Sequence, residues 1–258
     1  MLREIIIAMQ SYGEAHRFIS RHRLWKWIII PGIIYSVLFV LGFYLFWTSS
    51  GEAIDFMLTR TGLRTWLERL QDSWLQYLFI VGNMILMLIL LLYYFSLFKY
   101  LFLIVGSPLF AFLSEKTESI AEGRDFPFSM GQLLSDVARS IALSFRNMLW
   151  QTVYVITILI MSIIPVFGWI APLLTLFLES YYLGFSMLDY SCERHRLGPR
   201  ESIRFISAHK GLAIGNGMIY YLMHLLPVLG WILAPGYAVV AATLSLSKAK
   251  KQNIIPVS

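Results

Sequence analysis

Long apolar stretches alternate with charged segments along this chain. Residues 24–47 are uncharged except for Lys26, and residues 74–105 are almost entirely apolar. A helix of about 20 apolar residues crosses a bilayer. The pattern therefore predicts two transmembrane helices, at 24–47 and 74–105, joined by a polar connection at 48–73.

Two further segments combine polar and apolar residues at helical spacing. In residues 1–23, Ile5, Met9 and Tyr12 fall near one helical face, with charged residues elsewhere. This predicts an amphipathic helix lying along the membrane surface. Residues 106–148 begin with Gly106-Ser107-Pro108, which is expected to end the second transmembrane helix. The rest of this segment is charged or amphipathic, and is predicted to be cytoplasmic or interfacial.

One short motif occurs twice, each time midway through an apolar stretch. Residues 164–170 read Ile-Pro-Val-Phe-Gly-Trp-Ile, and residues 226–232 read Leu-Pro-Val-Leu-Gly-Trp-Ile. Proline and glycine at such positions interrupt a helix. The repeat predicts two helical hairpins, at 149–187 and 212–246, with tips at 165–168 and 227–230. A charged segment at 188–211 separates them, and a basic tail at 247–258 follows.

The depth of these hairpins is predicted from the length of their arms. The arm at 149–164 corresponds to about 24 Å of helix, against about 30 Å of hydrocarbon. Either the arms cross a thinned bilayer, or the hairpins enter the membrane only partly. Partial insertion is favoured, because the tips carry proline and glycine where a crossing hairpin would have a charged turn.

Composition identifies the class of protein. The chain is 58% hydrophobic and only 14% charged, whereas soluble domains have about 25% charged residues. The predicted fold is therefore an all-α integral membrane protein. Its net charge is +6, but the basic residues flank apolar segments, which indicates headgroup contact rather than nucleic-acid binding. The same distribution predicts cytoplasmic N- and C-termini, with only 48–73 on the outer side.

Motifs for catalysis are missing from the sequence. There is no phosphate-binding loop, no dinucleotide fingerprint and no zinc-protease motif. The five histidines do not have the spacing of metal ligands, and Cys192 is the single cysteine. We therefore expect no enzyme activity, no metal and no cofactor.

A basic segment before the first transmembrane helix is the strongest candidate site. Arg21, Arg23 and Lys26 lie beside the start of a helix, whose free N–H groups favour an anion. Arginine also suits tetrahedral oxyanions. The alternative is an anchor that follows the positive-inside rule and binds no solute.

Several motifs resemble those of one membrane protein family. The run Ser107-Pro108-Leu109-x-x-x-Leu113-x-Glu115-Lys116-x-Glu118 resembles the signature of the CysZ sulfate-permease family, which belongs with the etoposide-induced membrane proteins of eukaryotes. Leu188-Asp189-Tyr190 and Ala241-Ala242-Thr243-Leu244 are also similar to family motifs. The family's sulfate-binding Gly-Leu-Arg-Arg element falls on Arg23-Leu24-Trp25-Lys26, where arginine replaces its glycine.

This resemblance implies a fold and a function. The fold has two long transmembrane helices, two hemi-penetrating hairpins and an oligomeric assembly. The function is passive uptake of sulfate, or a related oxyanion, for cysteine biosynthesis across a bacterial inner membrane. The alternative is a non-transporting membrane scaffold, as among the eukaryotic relatives. Expected partners are the lipid bilayer, the oxyanion and further copies of the chain.

The remaining candidates could line or gate a path for the solute. Glu179 is the one acid within either predicted hairpin, and both a structural hydrogen bond and a pore-lining role are open for it. The others belong to the family signature and to the two tips: Glu115, Lys116, Pro165, Gly168, Trp169, Pro227, Gly230 and Trp231.

Overall fold

The described part of the chain is helical. The computed structural model describes residues 1–60, 62, 75–123, 130–162, 164–194, 197–226 and 228–252. Within these ranges it has eight α-helices: α1 (Leu2–Arg21), α2 (Trp25–Arg60), α3 (Leu75–Glu122), α4 (Met130–Met161), α5 (Pro165–Arg194), α6 (Pro199–Ala208), α7 (Lys210–His224) and α8 (Leu229–Lys251).

The chain divides into two compact units. The first comprises Met1–Ser36 and Phe102–Ser258, and the second Val37–Leu101. In the second unit, aromatic rings of α2 pack on those of α3: Tyr94 lies 6.1 Å from Phe39 and 5.0 Å from Phe46, between ring centroids. The Tyr94 hydroxyl also donates to the Phe39 carbonyl at 3.1 Å. The first unit holds the candidate residues.

Helices α5 and α7 cross at very short distance in the first unit. A Cβ atom added to Gly184 would lie 1.8 Å from the Ala213 carbonyl oxygen, and one added to Gly217 would lie 1.7 Å from that of Ser180. Small residues four positions apart on each helix thus bring the two backbones into contact. This crossing joins the two predicted hairpins.

Helix α1 packs against α7 and α8. Ala8, Ala15 and Ile19 are fully buried within the protein, whereas Ile6 and Met9 are exposed. Gly211 and Gly215 on α7 allow the approach, because Cβ atoms there would overlap the α1 backbone. Protein therefore covers one side of the helix, and its position along the membrane surface stays a prediction.

Polar contacts hold α1 in this position. Both Glu4 carboxylate oxygens are engaged, one with His209 Nδ1 at 2.9 Å and the other with the Gly211 amide at 3.1 Å. Gly211 lies in the first turn of α7, so Glu4 accepts from an N–H group that has no partner within its helix. Further along, the Tyr12 hydroxyl donates to the Asn216 carbonyl at 2.8 Å. Burial raises the pKa of Tyr12 well above its usual value, which keeps this hydroxyl a donor.

Two helices run further than the sequence pattern indicates. α2 continues from the first apolar stretch to Arg60, within the segment predicted as a polar connection. α3 passes through Gly106-Ser107-Pro108 and ends only at Glu122. A proline removes one backbone hydrogen bond, whereas Phe110 and Leu113 beyond it are fully buried. Their packing outweighs the local cost.

The first hairpin also differs from its predicted arms. The interfacial segment before residue 149 and the arm at 149–164 form one helix, α4, of 32 residues. The turn precedes Pro165, which is the first residue of α5, so Gly168 and Trp169 belong to the helix. Proline suits a first helical position because its missing N–H would have no partner there. The charged segment at 188–211 contains the end of α5, all of α6 and the start of α7.

Within the part of the chain that the structure describes, five helical segments are long and apolar enough to cross a membrane. They are Trp25–Arg60, Phe98–Glu122, Val137–Met161, Phe167–Cys192 and Leu229–Lys251. Both arms of the first hairpin are among them, so the predicted arm length of about 24 Å was too short for that hairpin. α7 has only 15 residues, about 22 Å of helix, and is not among them.

Candidate functional site

The three predicted cations lie at the junction of α1 and α2, which we call the collar (residues 21–26). α1 ends at Arg21, and the Leu24 amide donates back to the Ile19 carbonyl at 3.0 Å. Between them Arg23 has a φ of 53°, in the left-handed region. This arrangement is a Schellman ending, with its usual contact between buried apolar residues, here Ile19 and Leu24.

The cations of the collar face outward. Arg21, Arg23 and Lys26 are all exposed. Among the described residues none of them has a carboxylate partner, and the Lys26 Nζ lies 5.6 Å from the centroid of the Trp27 ring. Exposed cations that are not neutralised in this way attract anions to a surface.

The collar is fixed by aromatic packing beneath it. Trp25 packs edge-on to His16, with 6.2 Å between ring centroids, and lies 6.3 Å from Tyr237 of α8. The His16 Nδ1 and the Tyr237 hydroxyl are 2.7 Å apart. α1, α2 and α8 therefore meet at one point below the cations. This rigidity limits the entropy lost when an anion binds.

An aromatic pair brings the family signature of α3 to the collar. The Trp27 and Phe112 rings are 4.4 Å apart between centroids. Lys116 Nζ lies 5.9 Å from the Phe112 ring, on the exposed surface of α3. Lys26 and Lys116 thus flank the same two rings. The structure brings together two sets of candidates that are far apart in the sequence, and Glu115 lies beside them, half-buried.

The tip of the second hairpin packs against the start of α2. The hydroxyl of Tyr35 is 2.5 Å from His224 Nε2. Trp231 Nε1 donates to the His224 carbonyl at 3.1 Å, and Gly230 is buried with its Cα against the Met223 carbonyl. Gly230 and Trp231 therefore stabilise the turn between α7 and α8 through their contacts with the end of α7. Pro227 lies outside the described residues.

The candidates of the first hairpin lie apart from one another. Trp169 is 88% exposed, which suits contact with lipid or with another protein. Glu179 lies far along α5, where Gln151 Nε2 of α4 donates to its Oε1 at 2.5 Å. This contact is the structural hydrogen bond that the sequence left open. A role for Glu179 in a solute path stays a prediction.

Sequence analysis missed a buried ion pair between the same two helices. Arg139 donates to Asp189 Oδ1 at 2.8 Å and to Ser202 Oγ at 2.5 Å. Asp189 was noted only as part of a family motif, and Arg139 lies in the segment 106–148, predicted as cytoplasmic or interfacial. The signal was a carboxylate directly after a long apolar stretch, which requires a partner when it is buried.

Comparison with known proteins identifies the family. Residues 11–235 match the model of the family described as sulfate transporter CysZ and etoposide-induced protein 2.4. The chain belongs to this family. It is 28% identical to a sulfate transporter CysZ of Pseudomonas aeruginosa, over 91% of this chain and 92% of the relative. It is 30% identical to the one of Pseudomonas fluorescens Pf0-1, over 93% and 92%, and 25% identical to that of Pectobacterium atrosepticum, over 85% and 80%.

Membership confirms the resemblance found in the sequence. The family is named for transporters, which are not an enzyme class. Bacterial relatives of this kind, together with the five long apolar helices, identify a multi-pass bacterial membrane protein. The collar also explains one feature of the family's Gly-Leu-Arg-Arg element: its glycine falls on Arg23, where the backbone is left-handed.

Proposed function

We propose that this protein is a permease for sulfate or a related oxyanion. One observation carries the proposal: the chain has an exposed group of cations, free of carboxylate partners among the described residues, directly before its first apolar helix. Support comes from its similarity to proteins named sulfate transporters and from the resemblance of this group to the family's anion-binding element. A dianion gains more from several fixed cations than a halide ion does.

In this proposal the collar captures the anion at the mouth of the path. Arg21 and Arg23 offer paired N–H donors that match tetrahedral oxyanions, and Lys26 adds a further charge. Lys116, with Glu115 beside it, would receive the anion next, because an aromatic pair holds it near Lys26. Transport needs no covalent step and no ATP.

The hairpins are proposed to enter the membrane partly, beside two full transmembrane helices. For the second hairpin the support is α7, which at 15 residues is shorter than the hydrocarbon layer. For the first, the exposed large apolar side chains of α5 run only from Phe167 to Phe177, although those of α4 begin at Ile141. The stretch on α5 is about 16 Å long, and the described residues of α5 after it are half-buried or buried.

The tips at 165–169 and 227–231 would line or gate the path, in one chain or between copies. We propose a homo-oligomer in the inner membrane with cytoplasmic termini, supplying sulfate for cysteine biosynthesis. The exposed Trp169 at the end of the first hairpin is the surface we expect to meet lipid or a second copy.

Uptake of radiolabelled sulfate into proteoliposomes tests this function. Arg23→Ala with Lys26→Ala should slow uptake at subsaturating sulfate by about ten-fold or more, since each lost charge contact contributes about 1–2 kcal/mol. Alanine keeps a Cβ at position 23, so the backbone geometry is unchanged. The matched control is Arg200→Ala with Lys251→Ala, which removes two exposed cations elsewhere and should leave uptake unaltered.

Two outcomes would contradict the proposal. One is uptake of no oxyanion above that of empty liposomes. The other is equal loss in both double variants, which would indicate a general effect of net charge. Rescue of a bacterial mutant deficient in sulfate uptake, by the wild type and not by the collar variant, would further count against a non-transporting scaffold.

A further inference from the structure

Helix α1 has a second apolar side, opposite the side that packs on α7 and α8. Leu2, Ile6 and Met9 follow one another along it at helical spacing, and they are 76%, 45% and 37% exposed. The same side is open at Gly13, where an added Cβ would have no atom within 4 Å. Three large apolar side chains in a line on an open helix surface indicate a contact with another apolar phase.

Arginines lie along one edge of this open side. Arg3 and Arg17 are about four turns apart, so they fall near one line along the helix. Both are exposed. Among the described residues neither has a carboxylate partner, and the Arg3 Nη2 donates only to the amide oxygen of Gln252, at 3.4 Å. Their charges therefore face outward beside the apolar line.

The two acidic residues of α1 do not offset this charge. Glu4 is buried, and its oxygens face His209 and the Gly211 amide. Glu14 accepts from the Lys248 Nζ at 2.6 Å, so an ion pair neutralises it. The open side of α1 is consequently a surface of positive charge, which attracts anionic partners.

The end of α1 is tied to a candidate membrane-spanning helix. α1 ends at Arg21 and α2 begins at Trp25, so only residues 22–24 separate them. α2 is one of the segments that are long and apolar enough to cross a membrane. A helix that is held close to the bilayer, with an apolar side edged by arginines, has the character of an interfacial helix that prefers anionic lipids.

The charge disfavours a second copy of the chain as the partner of this side. A two-fold contact pairs a surface with itself. Such a contact would bring the arginines of one copy towards those of the other, and like charges repel. The phosphate groups of an anionic lipid carry the opposite charge.

We infer that the open side of α1, formed by Leu2, Arg3, Ile6, Met9 and Arg17, binds a bilayer surface that contains anionic phospholipid. The three apolar side chains enter the boundary between headgroups and acyl chains, and the two arginines donate to lipid phosphates. The inference goes beyond the proposed function and does not rest on it. It gives α1 one side covered by protein and another covered by lipid.

Quenching by labelled lipids tests this contact. Met9→Cys is made in a Cys192→Ser background, coupled to a small fluorophore, and the protein is placed in nanodiscs of phosphatidylcholine and phosphatidylglycerol. A nitroxide on phosphatidylglycerol should quench more effectively than the same nitroxide on phosphatidylcholine, by about five-fold for each arginine. Ile160→Cys, exposed on α4 and far in sequence from any cation, is the control and should be quenched equally by both lipids.

Substitution of the arginines tests the role of their charge. Arg3→Gln with Arg17→Gln should remove the preference for phosphatidylglycerol, whereas Arg3→Lys with Arg17→Lys should retain it. The matched control is Arg200→Gln with Arg204→Gln, which removes two exposed cations of α6 and should also retain it. If the first variant fails to fold, raised salt takes its place, because screening should weaken the preference.

Three outcomes would overturn the inference. They are quenching by neither lipid, equal quenching by both lipids at Met9→Cys, and energy transfer between fluorophores on different copies without quenching by lipid, which would assign this side to a second copy. None of these measurements involves sulfate uptake. Failure here therefore leaves the proposed permease standing, and loss of uptake with the expected quenching contradicts only the permease.

Discussion

At the scale of single residues, Arg23 combines an unfavourable backbone with a useful charge. A left-handed φ costs a residue with a Cβ roughly 1 kcal/mol, and glycine avoids this cost. The Schellman turn requires that conformation, because the Leu24 amide must reach the Ile19 carbonyl. The family's element has glycine here, whereas this chain has a further cation. We interpret the difference as follows: arginine lowers the free energy of unfolding at this position and adds one positive charge to the collar.

Arg23→Gly tests this interpretation. The variant should unfold at higher temperature, with a gain of about 1 kcal/mol, while sulfate uptake falls because a charge is lost. Arg21→Gly removes the same charge from the last turn of α1, where glycine costs about 1 kcal/mol. Thermal unfolding of both variants in detergent should therefore move in opposite directions. Equal shifts would contradict the role given to the left-handed backbone.

Glu4 is a second residue whose environment decides its role. Its two oxygens accept from different groups near the start of α7. Glu4→Gln should lower the free energy of unfolding by about 1–3 kcal/mol, because an amide can accept through only one oxygen. Glu52→Gln, at an exposed position on α2, is the control and should change little. A similar small effect at both sites, measured by denaturant unfolding, would show that Glu4 does not hold α1.

At the scale of elements, the contact between α5 and α7 organises the first unit. Its closeness depends on two glycines that leave no room for a side chain. The helices can then gain from backbone contact, which drives association in lipid where the hydrophobic effect is absent. The two hairpins thus form one packed body.

Gly217→Val should prevent this packing. The added atoms overlap the Ser180 carbonyl, so we expect loss of the folded, monodisperse protein in detergent. Gly13→Ala is the matched control, because no atom lies within 4 Å of a Cβ there. It should stabilise α1 by up to about 1 kcal/mol. A normal elution profile and melting temperature for Gly217→Val would show that the crossing is looser than described.

Glu179 can be assigned by comparing two substitutions between α4 and α5. Glu179→Gln keeps an oxygen that accepts from Gln151, so a structural role predicts nearly normal stability and uptake. Glu179→Leu leaves the buried Gln151 amide without this acceptor and should cost about 1–3 kcal/mol. Normal stability of Glu179→Gln with uptake abolished would instead assign the charge to the solute path.

At the scale of the whole molecule, the proposed transport depends on how deeply the hairpins enter the membrane. The apolar tips carry exposed leucine, valine and tryptophan, while Glu179, Asn147 and Asp189 follow toward the other ends. Polar groups at membrane depth require protein partners or water. The proposed partial insertion would satisfy this requirement, since it would leave the polar ends of α4 and α5 near the headgroups.

Cysteines at Val166 and Val228 measure this depth. They are introduced singly into Cys192→Ser, and the natural thiol is buried in any case. In sealed cells, an impermeant reagent outside should label neither tip. Arg60→Cys, at the exposed end of α2, should be labelled as the outer control. Labelling of either tip from outside would show that its hairpin crosses the bilayer fully.

Much of the architecture follows from patterns in the sequence. The apolar stretches identified the membrane class, the period of residues 2–20 predicted α1, and the second Pro-Val-x-Gly-Trp motif located the turn between α7 and α8. Helix ends were less well predicted. Pro108 and Pro165 both look like helix breaks in the local sequence. Yet α3 continues past Pro108, where its next residues are buried, and Pro165 is the first residue of α5. Local rules do not include the packing free energy that decides such cases.

The sequence by itself determined the class of the protein, its family and the collar of cations, because composition, periodicity and short motifs are properties of neighbouring residues. Only the tertiary structure placed Lys116 beside Lys26, covered α1 with α7 and α8, and joined the hairpins through Gly184 and Gly217. It also revealed the buried ion pair between Arg139 and Asp189. These features depend on contacts between residues far apart in the chain, and such contacts form only when the helices pack.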